Sequence, residues 1–147
     1  MLERIRIILF VGTKVALIKR TFNDEIYYVF PGGRKEVNET NLQALAREVK
    51  EELGVEITNP RLILCNEYLG QKQYFYFCND YQGEFGSGVG EEYTELTSKR
   101  GLYEPLFVDV NELATLDIRP KEVATIIIEE QKKAEELQPF QFLWSSV

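Results

Sequence analysis

The sequence contains no histidine. This absence excludes Ser-His-Asp and Cys-His catalysis, and it excludes zinc sites that depend on imidazole ligands. Any proton transfer must therefore use carboxylates, lysine, tyrosine or water. Long apolar runs are absent as well, because none approaches the ~20 residues that a membrane-spanning helix needs. We therefore expect no membrane partner.

Cysteine is scarce, with only Cys65 and Cys78 in the 147 residues. Both lie in apolar, aromatic-rich stretches, so we predict two buried free thiols. Their spacing does not resemble a zinc site, and nothing indicates the oxidising compartment that a disulfide requires. The N-terminus mixes charged residues among its first positions and lacks the layout of a signal peptide. We expect a cytoplasmic protein.

Basic residues are fewer than acidic ones. The chain has 17 lysines and arginines and 24 aspartates and glutamates, which gives a net charge of −7. Broad contact with a nucleic-acid backbone requires clustered lysine and arginine. We therefore expect no nucleic-acid partner. A small anionic ligand remains compatible with this composition, because bound metal ions can supply the missing positive charge.

The order of apolar patterns predicts one α/β domain over residues 1–147, with a mixed β-sheet and helices on both faces. Helical patterns cover 41–53 and 121–137, and Asn111 opens a short helical turn. The glycine-rich stretch 80–104 predicts a long loop, which in a compact domain is usually functional or mobile. Strands are predicted at 4–11, 14–20, 26–30, 61–69, 72–79 and 105–110, with Pro31-Gly32-Gly33 as a sharp break after the third. The aromatic tail 139–147 should pack on the domain or on a partner subunit, which leaves a homodimer open.

The first helix has clear local boundaries. Thr40 and Gln43 form a capping-box pattern at its start, and Gly54 suits the left-handed residue that ends a helix. Apolar residues recur between them at three- and four-residue steps and predict one buried stripe. The stripe consists of Leu42, Leu45, Ala46, Val49 and Leu53.

Three glutamates share a second face of this helix. Glu48, Glu51 and Glu52 are three and four residues apart, so they lie beside the apolar stripe. Like charges at these spacings cost roughly 0.2–0.5 kcal/mol per pair, and the C-terminal half of a helix adds an unfavourable dipole. The alternative is a solvated acidic face matched by Arg47 and Lys50. Three carboxylates otherwise form a hard-oxygen site suited to Mg²⁺ or Mn²⁺.

Residues 33–55 resemble the Nudix box at every specified position. Gly33 is followed by five residues and Glu39, then by seven residues and Arg47, and then by Glu48-Val49-Lys50-Glu51-Glu52-Leu53-Gly54-Val55. The resemblance covers about a sixth of the chain. It implies a Nudix-type α/β/α sandwich, with which the flanking strands and the C-terminal helix agree.

The resemblance also implies roles for these residues. Glu48 and Glu52 would bind Mg²⁺ or Mn²⁺, and Glu51 would contribute to the metal cluster or to its water network. The carbonyl of Gly32 would be a further ligand, and Gly32-Gly33 would let the backbone approach a metal–phosphate assembly closely. Glu39 would hold Arg47 and thereby orient the helix.

The implied activity is hydrolysis of a nucleoside diphosphate linked to another group, with metal ions neutralising charge and lowering the pKa of a water. The candidates for the general base are Glu91 and Glu92 in the glycine-rich loop, with Glu84 and Glu95 behind them. Glu51 is the rival candidate within the box. Arg34-Lys35 and Lys99-Arg100 are candidates for phosphate contacts, against a reading as solvated charge.

The substrate is less defined than the reaction. The downstream marks of ADP-ribose, dinucleoside polyphosphate and coenzyme A hydrolases are missing or out of place, which leaves a modified nucleoside triphosphate, such as an oxidised one, by default. Aromatic residues 74–77 could stack on a base, although half should be core on an alternating strand. The main alternative function is a Nudix-like module that binds a nucleotide without turnover. An isomerase of related fold would require an exposed catalytic cysteine.

Overall fold

The computed structural model describes residues 2–88 and 101–136. Within these two ranges, two α-helices, α1 (Asn41–Leu53) and α2 (Lys121–Glu136), and a 3₁₀ helix (Val110–Thr115) accompany ten strands. The strands are β1 (Glu3–Val11), β2 (Lys14–Phe22), β3 (Glu25–Val29), β4 (Gly32–Arg34), β5 (Val55–Ile57), β6 (Arg61–Tyr68), β7 (Gln71–Cys78), β8 (Tyr81–Gly83), β9 (Leu102–Asp109) and β10 (Ile118–Arg119).

Eight strands form one mixed sheet in the order β10-β3-β2-β1-β7-β6, with β4 paired to β1 and β9 paired to β2. The β1–β7 and β10–β3 pairs are parallel and the other pairs are antiparallel. Strands β5 and β8 form a separate two-stranded sheet. The prediction of a mixed sheet is therefore confirmed.

The two central strands separate soon after their shared turn. Strands β1 and β2 pair only at Phe10–Val15 and Val11–Lys14. Farther from the turn, β1 pairs with β4 and β7, while β2 pairs with β3 and β9. The sheet thus divides into two halves, and a cleft opens between them.

A hydrophobic cluster lies on each face of the sheet, because alternate residues of each strand point to opposite sides. Ile5, Ile7 and Leu9 of β1 join the cluster under α1, with Leu45, Val49 and Leu53. Ile8 and Phe10 join the cluster under α2, with Val123 and Ile127. Helices thus cover both faces, as predicted for an α/β/α sandwich.

The local predictions for α1 are confirmed at both ends. Thr40 Oγ1 accepts a hydrogen bond from the backbone N–H of Gln43, and the Gln43 side chain accepts one from the Thr40 N–H. Gly54 has a left-handed φ of 77°. The predicted stripe is wrong at two positions, because Leu42 is 54% exposed and Ala46 is exposed, while Ala44 is buried. Leu42 lies in the first turn beside an exposed loop, and Ala46 lies at the edge of the buried face.

Two other predictions are corrected by strand pairing. Pro31-Gly32-Gly33 does not simply end β3, since Gly32–Arg34 forms β4 against β1. The predicted loop 80–104 contains β8 and the start of β9. In both places the pairing partner is distant in sequence, so local composition carries no sign of it.

The prediction of two buried thiols is half wrong. Cys78 is buried, and its Sγ donates to the carbonyls of Thr58 and Asp80 at 3.0 and 2.9 Å. Cys65 is exposed on β6, which among the described strands pairs with β7 alone and lies at an edge of the sheet. Among the described residues, neither helix is both long and apolar enough to cross a membrane.

Candidate functional site

A cleft of about 880 Å³ opens where β1 and β2 diverge. Its floor and walls come from both halves of the sheet, from β4 and from α1. The part of the lining that the structure describes is polar and includes five arginines and four glutamates. These charged residues are Arg4, Arg6, Arg20, Arg34, Arg47, Glu36, Glu48, Glu51 and Glu52.

The three glutamates of α1 enter the cleft at different depths. Glu52 is only 7% exposed, and its Oε1 accepts a hydrogen bond of 2.5 Å from the backbone N–H of Gly32. The Glu48 side chain is 15% exposed and that of Glu51 is 44% exposed. The predicted second face of the helix therefore runs from the protein interior to the mouth of the cleft.

The two glycines of β4 make close approach to α1 and β1 sterically feasible. A Cβ on Gly33 would lie 2.6–2.8 Å from the carboxylate atoms of Glu48. A Cβ on Gly32, which has a φ of 140°, would lie 2.0 Å from the carbonyl oxygen of Ile5. Glycine at position 33 therefore leaves the space that the Glu48 carboxylate occupies.

The Arg47 guanidinium group donates hydrogen bonds to three glutamates of the segment 33–55. Its Nε and Nη2 donate to Glu39 at 2.7 and 2.9 Å, and its Nη1 donates to Glu48 at 2.9 Å and to Glu51 at 3.5 Å. Nη2 also donates to the Arg34 carbonyl at 3.0 Å. The contact of Glu39 with Arg47, which the resemblance implied, is present in the structure.

These contacts shift the protonation equilibria of both partners. The hydrogen bond from Arg47 lowers the pKa of Glu39 to about 2, and the backbone N–H of Glu36 contributes further. Hydrogen bonding to Glu39 raises the pKa of Arg47. Burial lowers the pKa of Arg6, whose Nη1 donates to the Phe30 carbonyl at 3.0 Å. Glu39 and Arg47 therefore both stay ionised through the physiological pH range.

The donor set of α1 fits a divalent cation. Carboxylate oxygens are the ligands that Mg²⁺ and Mn²⁺ prefer, and Glu52 is held in a cleft wall beside the backbone of Gly32. Across residues 2–88 and 101–136, no three acidic or cysteine side chains already form a metal-binding group. Glu48 accepts a hydrogen bond from Arg47 through Oε1, and Glu52 accepts one from Gly32 through Oε1.

The C-terminal end of α1 contacts residues 86–88, which precede the candidate base residues in the sequence. Ser87 Oγ donates to the Gly54 carbonyl at 3.3 Å, and the Gly86 N–H donates to the Leu53 carbonyl at 2.9 Å. A Cβ on Gly88 would lie 2.5 Å from the carbonyl oxygens of Glu51 and Glu52. Gly88 therefore packs against the backbone of Glu51 and Glu52, two of the metal-ligand candidates.

The candidate bases themselves are only partly placed. Glu91, Glu92 and Glu95 lie outside the described residues. Glu84 is exposed and is absent from the cleft lining. Among the described candidates, Glu51 is the one that lines the cleft.

The phosphate-contact candidates separate in the structure. Arg34 lines the cleft, whereas Lys35 lies 3.5 Å from Glu3 in an ion pair. Lys99-Arg100 falls outside the described segments. Sequence reasoning missed Arg4, Arg6 and Arg20, which also line the cleft. Arginine at alternate positions of β1, opposite in face to Ile5 and Ile7, was the available signal.

The aromatic lining differs from the suggested stretch 74–77. None of residues 74–77 lines the cleft, and Phe75, Tyr76 and Phe77 are buried. The aromatic residues that do line it are Tyr27, Tyr68 and Tyr103. The Arg20 guanidinium carbon lies 3.7 Å from the centre of the Tyr103 ring, a cation–π contact.

The family follows from comparison of the whole sequence. A family model described as the NUDIX domain matches residues 2–126. The chain therefore belongs to the Nudix family, as the resemblance of residues 33–55 predicted. Nudix hydrolases generally use a divalent metal ion.

A curated relative matches a shorter segment of the chain. The chain is 49% identical over 37 residues to an 8-oxo-dGTP diphosphatase of Proteus vulgaris, across 25% of this chain and 33% of that protein. The matched segment thus spans about a third of the curated relative.

Solved structures share the fold. One from work on MutT of Aliivibrio salmonicida and Vibrio cholerae aligns with a TM-score of 0.70 and 20% identity, over 88% of this chain and 98% of that chain. The Escherichia coli ORF135 protein aligns with a TM-score of 0.66 and 21% identity, over 96% and 95%. An ADP compounds hydrolase aligns with a TM-score of 0.66 and 16% identity, over 91% and 74%.

Proposed function

We propose that this protein is a metal-dependent pyrophosphohydrolase that cleaves a diphosphate linkage in a nucleoside diphosphate derivative. The observation that carries the proposal is that Glu48, Glu51 and Glu52 line the same cleft as five arginines of the described residues. Carboxylates attract a cation and guanidinium groups attract phosphate, so the cleft is suited to a polyphosphate with its metal ion. Membership in the Nudix family supports the same chemistry.

Mg²⁺ or Mn²⁺ is the proposed cofactor, with Glu48, Glu52 and the Gly32 carbonyl as ligands and Glu51 as a ligand or water-binding group. When bound, the ion would offset phosphate charge and acidify a water molecule. Glu39 and Arg47 hold the carboxylate face, Gly33 leaves room for Glu48, and Gly54 ends the helix behind Glu51.

The proton acceptor is proposed among Glu51, Glu91 and Glu92, while Glu52 is proposed to act in catalysis through the metal ion that it would hold. A carboxylate is required in this role because the sequence has no histidine. Glu51 lines the cleft with 44% of its side chain exposed, which gives solvent access to a proton acceptor at this position.

A modified nucleoside triphosphate, such as an oxidised one, is the proposed substrate. The support is the local similarity to the Proteus vulgaris 8-oxo-dGTP diphosphatase. Tyr27, Tyr68 and Tyr103 line the cleft and provide flat surfaces for a base. A cytoplasmic location, and independence from membranes and nucleic acids, remain parts of this proposal.

Glu52→Gln tests the activity directly. With Mg²⁺ and a panel of nucleoside diphosphate derivatives, the wild-type protein should release phosphate-containing products that mass spectrometry identifies, and Glu52→Gln should abolish turnover. Glu129→Gln, at an exposed position of α2, is the matched control and should keep full activity. Undiminished turnover in Glu52→Gln would refute the metal assignment, whereas binding without turnover in the wild type would favour a nucleotide-binding module.

A further inference from the structure

Glu52 is held through both its side chain and its main chain. Its Oε1 accepts a hydrogen bond of 2.5 Å from the backbone N–H of Gly32. Its carbonyl oxygen lies against Gly88, where a Cβ would be only 2.5 Å from that oxygen and from the carbonyl oxygen of Glu51. Two separate segments therefore contact a candidate metal ligand that is only 7% exposed.

The contact at Gly88 depends on glycine because of space and not because of backbone conformation. The φ of Gly88 lies outside the left-handed region, so this angle is open to other residues. A Cβ at 2.5 Å from a backbone oxygen must displace one of the two segments. Gly54 makes the matching approach from the end of α1, since a Cβ there would lie 2.8 Å from the Gly88 nitrogen. Two glycines thus let the end of α1 and residue 88 touch.

The segment 86–88 is braced by contacts outside α1. Just before it, Gly83 of β8 pairs with Val55 of β5. Phe85 packs against Phe107 with 4.3 Å between the ring centres, and both rings pack on the hydrophobic cluster under α1. Packed interiors transmit a displacement instead of absorbing it. A larger residue at position 88 would therefore move the end of α1.

The same segment brings hydrogen-bond donors to the end of α1. The last carbonyls of a helix lack partners within the helix and carry the negative end of its dipole. The Gly86 N–H donates to the Leu53 carbonyl at 2.9 Å. The Ser87 hydroxyl lies 3.3 Å from the Gly54 carbonyl and 2.7 Å from the Glu84 carbonyl, so its one proton is shared between them. These donors offset negative charge at the helix end that carries the metal-ligand candidates.

We propose that residues 86–88 position the metal-binding carboxylates of α1, and that Gly88 is the residue that sets the place of Glu52 in the cleft. The inference rests on the proposed function and adds a positioning residue to it, because Gly88 acts through the main chain of Glu52. Metal–ligand distances tolerate a change of only about 0.2 Å. Relief of the contact at a Cβ would require a shift toward the ordinary 3.4 Å or more. Alanine at position 88 should therefore spoil the metal site.

Metal titration tests the proposal without turnover. Mn²⁺ binding in the absence of nucleotide, measured by electron paramagnetic resonance, should be roughly 10–100-fold weaker in Gly88→Ala than in the wild type. Gly12→Ala is the matched control, because a Cβ there meets nothing within 4 Å and Gly12 lies outside the cleft lining. It should bind Mn²⁺ like the wild type. Equal Mn²⁺ affinity in a folded Gly88→Ala protein would overturn the proposal.

The amide proton of Gly32 provides a readout that needs no metal. A short hydrogen bond to a carboxylate moves such a proton downfield in a ¹H–¹⁵N spectrum, so this signal reports the place of the Glu52 side chain. In the metal-free protein, Gly88→Ala should move the Gly32 signal upfield and Gly12→Ala should leave it in place. An unmoved signal in Gly88→Ala would overturn the proposal. If the signal moves but the wild type binds no Mn²⁺, the positioning contact stands and the proposed metal-dependent function fails.

Ser87 variants decide the question if Gly88→Ala does not fold. Ser87→Ala should weaken Mn²⁺ binding about two- to tenfold, as expected for the loss of one hydrogen bond. Ser87→Thr keeps the hydroxyl at an exposed position and should restore the affinity. Thr115→Ala is the control, since it removes a hydroxyl bond to the Glu112 carbonyl of 2.9 Å outside the cleft lining. Equal Mn²⁺ affinity in Ser87→Ala and Thr115→Ala would then overturn the proposal.

Discussion

Arg47 and Glu39 form a two-point ion pair, in which Nε donates to Oε2 at 2.7 Å and Nη2 donates to Oε1 at 2.9 Å. The same guanidinium group donates to Glu48, so the pair fixes the start of the carboxylate face. Lysine cannot reproduce this geometry, because its ammonium group is a single point charge. The orientation of α1 in the cleft therefore depends on a planar group at position 47.

Arg47→Lys should lower kcat roughly 10–100-fold with a smaller change in KM, as expected for loss of a group that orients metal ligands. Steady-state kinetics with Mg²⁺ measure the effect. Arg61→Lys is the control for the same exchange, since Arg61 is exposed and lies outside the cleft lining. Full activity in Arg47→Lys would show that the ion pair does not orient the site.

Glu39 should make stability depend on acid pH. Its pKa is about 2 in the folded protein, because Arg47 and the Glu36 N–H donate to the carboxylate, against a usual value of 4.5. The ionised side chain therefore stabilises the fold fully above about pH 4.5, and this contribution is lost as the pH falls toward 2. Urea unfolding from pH 6 to pH 2.5 should show the stability difference between wild type and Glu39→Gln shrinking as the pH falls. A constant difference would contradict the lowered pKa.

Gly33→Ala should reduce activity more than stability. The added Cβ would lie 2.6 Å from Glu48 Oε2, so the carboxylate must move from its place in the cleft. Kinetics should show a large fall in kcat, while the unfolding free energy changes little. Gly12→Ala gives the opposite pattern, since a Cβ there meets nothing within 4 Å but the φ of 67° costs about 1–2 kcal/mol in an L-residue. Wild-type kcat in Gly33→Ala would refute the steric argument.

Two leucines of α1 should differ sharply in their contribution to stability. Leu45→Ala removes a fully buried side chain and should lower the unfolding free energy by about 2–5 kcal/mol. Leu42→Ala removes one that is 54% exposed and should lower it by less than about 1 kcal/mol. Denaturant titration of both variants measures the difference. Comparable losses would mean that Leu42 packs in solution as the helical periodicity predicted.

The two cysteines should react at very different rates. Cys65 is exposed on an edge strand, whereas Cys78 is 1% exposed and donates to two carbonyls. A thiol-specific reagent should modify one equivalent rapidly in the native protein and the second only after unfolding. Cys65→Ser should abolish the rapid phase, and Cys78→Ser should leave it unchanged. Two rapid equivalents in the native protein would contradict the burial of Cys78.

The parts of the fold that were predicted from sequence are those with local causes. Thr40, Gln43 and Gly54 define the limits of α1 through contacts within a few residues, and the spacing of the three glutamates defines their shared face. The resemblance of residues 33–55 to the Nudix box also implied the ion pair between Glu39 and Arg47.

The rest depended on pairing between distant segments. Strand β4 exists because Gly32–Arg34 meets β1, and this pairing alone places Arg4 opposite Arg34. Cys65 is exposed on β6, whose place at an edge of the described sheet is likewise set by pairing with a separate strand. Strand order is a property of the whole chain, so neither outcome could be predicted from a short window of sequence.

The hydrophobic clusters under α1 and α2 are separate, so substitutions in one should affect activity differently from substitutions in the other. Substitutions beneath α2, around Val123 and Ile127, act on the face away from the helix that carries the glutamates. Substitutions beneath α1, around Leu45 and Val49, act on the support of those glutamates themselves. Mutational drift should therefore accumulate beneath α2 sooner than beneath α1, and libraries that seek stabler variants with intact turnover are best directed there.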